Sequence, residues 1–178
     1  MELRVDLAGD AVERRTDFDP FFHLHFDKVA RAAALVTRDP AAGQDLAQEA
    51  FTRLLERWGE MESDDHARNF AFKVAINLAR SHIRKHGREF LYGLRRPGDP
   101  GSTSHVDASD AWFEVVGALG LISARQRACV VLVDYADMDS QEAAEILGMS
   151  AGTVRVHLMR GRRALREGLG LAREEDPT

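Results

Sequence analysis

The 178-residue chain has a single cysteine, no apolar run of membrane-spanning length and no sustained alternation of polar and apolar residues. Each absence removes a class of protein. A lone cysteine closes no internal disulfide, and Cys129 in the apolar run ACVVLV reads as a buried free thiol, consistent with a reducing cytoplasm. Spanning a bilayer takes about 20 consecutive apolar residues, so no membrane insertion is expected. The opening MELRVDLAGDAVERR is charged where a signal peptide needs an apolar core. Without alternation there is no strand signal, and no internal repeat is present. What remains is helical, with 44% hydrophobic residues to build one domain or two small ones.

The net charge of −5 argues at first against a nucleic-acid partner. Its distribution answers that objection. Between Asn77 and Arg96 lie Arg80, Arg84, Lys85, Arg88, Arg95 and Arg96 against the one acid Glu89, and a second basic block follows near the C-terminus. Acids gather in the first twenty residues, between Gln44 and Asp65, and in Glu174, Glu175 and Asp176. Two separated cationic surfaces on an acidic chain suggest two DNA contacts and a protein partner that accepts negative charge.

The chain divides at composition shifts. Residues 1–17 show no period and are expected to be loose, and 18–86 should form a first helical domain. Its helices are expected from Pro20 to about Val36, from Pro40 to about Trp58 and from about His66 to Lys85. The Gly-, Pro- and Ser-rich stretch 87–110 reads as a flexible linker, 111–170 as a second helical domain and 171–178 as an acidic tail. The fold class is therefore all-α, two small domains on a tether.

Asp139 to Leu165 carries the most information. Asp139 with Glu142 is a capping box, and Ala143, Ala144, Ile146 and Leu147 give a short helix its apolar side. Gly148 is free to take a positive φ, and Ser150 can cap the next helix. There Val154, Leu158 and Leu165 share a stripe with Gly161, while Arg155, Val156, Met159 and Arg160 point elsewhere. Most basic helix faces are merely solvated. A short helix, glycine turn, cap and arginine-bearing second helix occurring together indicate a helix-turn-helix that enters a major groove.

With DPAAGQDLAQEAFTRLLERW and FAFKVAINLARSHIRK in the first half and ISARQRACVVLVDYADMDSQEAAEILGMSAGTVRVHLMRGRRAL in the second, the chain resembles the group IV, extracytoplasmic-function sigma factors of bacterial RNA polymerase. The resemblance covers roughly Phe18 to Leu169, as a region 2-like and a region 4-like domain. It implies a protein that brings core polymerase to promoters and is not an enzyme, with no metal or other cofactor. Asp45, Gln48, Glu49 and Phe51 match the segment that docks on the polymerase. Asn77 matches the asparagine of the pocket for a flipped base of the minus-ten element, with Met61 beside it and Arg80, Arg84 and Lys85 on phosphates. Arg155, Val156, Met159 and Arg160 match base-facing positions for the minus-thirty-five element, and Arg127 and Thr153 phosphate contacts. The implied partners are core polymerase and promoter DNA. An anti-sigma factor clamping both domains is common in the family, but no binding face for one is legible.

Departures are present. Met61 stands where an aromatic is frequent, Ser81 replaces a frequent aspartate, Phe70 a frequent tryptophan, and Val156 and His157 residues that are often polar or basic. They bear on sequence preference. A stand-alone LuxR-type regulator is the chief alternative, although its usual companion domain alternates strands and helices. An enzyme would need more than the pairs His82/His86 and His23/His25, which lack a cysteine or spaced carboxylate to complete a metal site.

Overall fold

The computed structural model describes residues 7–91 and 110–170, with side chains from Asp17 to His86 and from Trp112 onward. Seven α-helices, and no strand, occur among the described residues. The tail beyond Gly170 and most of the expected linker lie outside them.

Helix α1 (Leu7–Thr37) starts well before the expected position, and Pro20 lies within it. An interior proline removes one backbone donor, but Pro20 is exposed, so water can reach the carbonyl left without that donor. After a reversal at Arg38 (φ 64°), Asp39 caps α2 (Pro40–Glu56) by accepting from the Ala41 and Ala42 N–H groups at 2.9 and 3.1 Å. A 3-10 turn (Trp58–Glu60) leads to α3 (Asp64–Leu91), which runs past the expected end at Lys85.

Alanines face one another where these helices meet: Ala30, Ala32 and Ala33 of α1, Ala47 and Ala50 of α2, and Ala71, Ala75 and Ala79 of α3 are all buried. Small side chains let the backbones approach closely. At Gly43 a methyl would sit 2.5 Å from Ala34 Cβ and 2.7 Å from the Ala30 carbonyl oxygen, so only glycine fits there. At one end Phe18, Phe21, Phe22, Phe26, Phe51 and Trp58 interlock, with Phe18 and Trp58 edge to face at 5.1 Å.

The second unit comprises α4 (Asp110–Leu119), α5 (Ala124–Val130), a π turn (Val131–Tyr135), α6 (Ser140–Leu147) and α7 (Ala151–Gly168). Both capping boxes form, Ser123 with Gln126 and Asp139 with Glu142. Cys129 is buried, and burial pushes its thiol up to about 11 against the small opposing effect of Arg80. A thiol so placed should resist Ellman's reagent in the native protein and react only after denaturant is added; rapid native reaction would contradict this burial.

The two units touch, which the sequence did not suggest. α3 packs along α6, α1 reaches the π turn, and buried residues of both halves form one continuous core.

Candidate nucleic-acid interface

Gly148 takes φ 65° and ends α6; Ser150 then caps α7, its hydroxyl accepting from the Thr153 N–H at 3.1 Å. The Thr153 hydroxyl meets that of Ser150 at 2.8 Å, which ties it into the turn. Val154, Leu158 and Gly161 are buried, and at Gly161 a methyl would crowd Val130 at 3.1 Å, so α7 lies close against α5. The opposite face carries Arg155, Val156, Met159 and Arg160, all exposed. Arg162 is not part of that display, because it pairs with Asp134 on the π turn (Nε to Oδ2 3.1 Å). An uncovered face with two arginines and two apolar side chains can offer donors to guanine edges and phosphates and methyl contacts to thymine.

Arg127 behaves differently from its expected role as a phosphate contact. It is 6% exposed and donates through Nη1 to the Leu119 carbonyl at 3.2 Å, tying the end of α4 to α5. Burial, helped by the nearby charge of Arg38, pulls its pKa down to about 10. In this arrangement Arg127 holds the fold.

In the first unit Asn77, Arg84 and Lys85 are exposed on α3 and Arg80 is half-buried. Arg84 reaches the Ser81 hydroxyl at 3.3 Å. Met61, just after the 3-10 turn, packs against the core edge. Phe72 is wholly buried, and Phe70 is half-buried with the Arg57 guanidinium 5.2 Å from its ring centroid. Both serve packing here, as their helical spacing suggests.

On α2, Asp45, Gln48 and Glu49 are exposed, and Glu49 holds Arg53 at 2.8 Å. Phe51 does not join them. It is 2% exposed and sits inside the aromatic cluster, on the stripe of Ala47, Ala50 and Leu54. The apolar group that does project from α2 is Leu55, 42% exposed, two helical turns from Gln48 and one from Thr52. Its i, i+7 relation to Gln48 was the available signal.

The region 2 and region 4 motifs are thus arranged as two helical units presenting a basic α3 and an uncovered α7. Family models agree: sigma-70 region 2 matches residues 21–89 and sigma-70 region 4 matches residues 113–165. The RNA polymerase sigma-E factor of Streptomyces coelicolor is 31% identical over 160 residues, spanning 90% of this chain and 89% of that protein. The chain belongs to the extracytoplasmic-function sigma factors. The ECF RNA polymerase sigma factor SigM of Mycobacterium tuberculosis is 28% identical across 94% of this chain and 83% of its own. Among solved structures, the sigma factor RpoE bound to the anti-sigma factor NepR from Bartonella quintana matches in fold with a TM-score of 0.71 at 24% identity, covering 88% and 99% of the two chains. CnrH in complex with the cytosolic domain of CnrY matches with a TM-score of 0.67 at 23% identity, covering 93% and 96%. A sigma factor explains both halves of the chain, whereas a LuxR-type regulator would leave the region 2 match unexplained. No helix among the described residues is long and apolar enough to cross a membrane.

Proposed function

We propose that this sigma factor divides its DNA work between its units, α7 reading the minus-thirty-five element and α3 holding the opened minus-ten strand. The uncovered face of α7 carries the reading: Arg155, Val156, Met159 and Arg160 stand out from a helix whose other side is buried. Asn77 would pair its amide with an extruded base near Met61, with Arg80, Arg84 and Lys85 on the phosphates. Thr153 is assigned a phosphate contact through a hydroxyl its cap already positions. Arg127 is assigned a part in the fold instead. This work is binding, performed in the cytoplasm beside the polymerase, and asks for no catalytic group or cofactor. Reconstitution with core polymerase on a candidate promoter tests the whole reading. A run-off transcript dependent on this chain is expected, and a bound duplex without transcript would overturn it.

Docking is assigned to the exposed face of α2, with Asp45, Gln48 and Glu49 as polar groups and Leu55 in the apolar place once given to Phe51. Glu49→Lys should weaken assembly with core enzyme in a competition assay while changing stability by about 0.5 kcal/mol or less, since its partner Arg53 is itself exposed. Unchanged affinity in a folded variant would remove Glu49 from the contact. An anti-sigma factor is the further partner we assign, supported by the shared fold with chains solved in such complexes.

A further inference from the structure

The histidine pair on α3 gains a meaning from how far that helix runs. A helix ending at Lys85 leaves His82 and His86 with no carboxylate in register. α3 instead continues to Leu91, so Glu89 stands on it, three residues after His86 and seven after His82. Such positions share one face of an α-helix, within an arc of about 60°. The two imidazoles are half-buried and stacked, their ring centroids 4.0 Å apart and their planes 25° from parallel. His86 Nδ1 meets the His82 carbonyl oxygen at 3.0 Å. A carbonyl only accepts, so this nitrogen carries the proton and the neutral ring keeps its lone pair on Nε2. Histidines that ligate metals are commonly held this way, one nitrogen tied to a backbone carbonyl and the other turned to the ion.

A tetrahedral ion with bonds of about 2.1 Å spans two imidazole nitrogens roughly 3.3 Å apart, near the separation of these rings. The surroundings are less favourable, because exposed Lys85 stands beside the pair and repels a cation. Arg84 reaches away, to Ser81, which lies about 100° round the helix from His82. A carboxylate on the histidine face therefore decides whether the pair can hold an ion. Among the described side chains no group of three His, Cys, Asp or Glu is placed to do so, and the register of Glu89 adds the third. We propose that the end of α3 is a site for a divalent transition metal of the Zn²⁺ kind, held by His82, His86 and Glu89. Two imidazoles and one carboxylate suit such ions better than Mg²⁺ or Ca²⁺, which take oxygen ligands. Bound there, the ion clips together two successive turns beyond Ile83, the last described α3 residue packed on the core. It holds the helix end in helical form beside Arg84 and Lys85, whatever those two residues contact.

The test titrates the untagged full chain with Zn²⁺ against a chromophoric chelator and follows amide hydrogen exchange over the end of α3. One equivalent of Zn²⁺ is expected to bind and to slow exchange there. His82→Ala, His86→Ala and Glu89→Gln should each weaken that binding by about tenfold or more, since even groups behind the ligands are worth that much. Lys85→His with His86→Lys keeps composition and charge but turns one ring about 100° off the stripe, and should lose the site as well. His23→Ala with His25→Ala should leave it intact. All these positions are exposed, half-buried or at the helix end, so the variants keep their helices, checked by circular dichroism without metal. A parent that binds Zn²⁺ no tighter than the register swap does overturns the site, and so does binding that survives the loss of either ring. Unchanged affinity in Glu89→Gln overturns the three-ligand set. Binding without slower exchange overturns the clip.

Discussion

Phe51→Ala should cost about 3–5 kcal/mol of stability and reduce assembly with polymerase only in proportion to the unfolded fraction. The ring contacts Phe18, Phe21, Phe22 and Phe26 and is 2% exposed, so truncation leaves a cavity between α1 and α2. These neighbours all lie on α1, whose alanine face is already in contact with that of α2, which limits their collapse into the space. Urea titration followed by circular dichroism gives the loss directly. Leu55→Ala supplies the contrast, because an exposed leucine should cost little stability yet weaken docking if α2 meets the polymerase there. A stable Phe51→Ala protein with impaired assembly would restore Phe51 to the docking surface.

The second large effect separates the two DNA-reading helices. Arg155→Ala is expected to lose about 1–3 kcal/mol of promoter binding if the guanidinium reads a guanine bidentately, with the loss confined to particular upstream bases. Arg155 is exposed on the uncovered face, so its fold contribution is small and the deficit should appear in the closed complex. Asn77→Ala should form the closed complex nearly normally and then fail in strand opening, followed as permanganate reactivity of unpaired thymines. Equal loss of duplex binding in both variants, without a specific opening defect for Asn77, would refute the division. The amide of Asn77 also holds the Ile146 carbonyl, so its removal loosens the free protein. That makes the direction of change in the polymerase-bound state the informative one.

Local chemistry was legible in the residues. Asp139, Glu142, Gly148 and Ser150 announce the helix-turn-helix because caps and left-handed turns depend on the side chains that form them. The inward stripe of α7 was legible for the same reason. Phe51 and Arg127 were not, because their sequence positions match surface contacts in the family while their environments come from other helices: α1 covers Phe51, and the end of α4 draws in Arg127. Pro20 misled as a start signal, since an exposed proline can sit inside a helix whose exposed side is wet. Least legible was the meeting of α3 with α6. Asn77 and Ile146 are 69 residues apart, and a contact over that separation leaves no local period to read.

The π turn at Val131–Tyr135 has a consequence for how this architecture can change over evolutionary time. Its N–H of Ala136 donates to the Val131 carbonyl, one residue farther back than in an α-helix. Each helical residue turns the chain by about 100°, so deleting one position there would rotate everything downstream by that amount relative to α5. Asp134 would leave Arg162, Met138 would leave the core, and the face of α7 would aim elsewhere. A substitution that keeps the count, as at half-buried Val133, disturbs far less by comparison. Descendants of this sequence should therefore vary in letters but hold their length across this segment, because the aim of the recognition helix is stored as a count of residues.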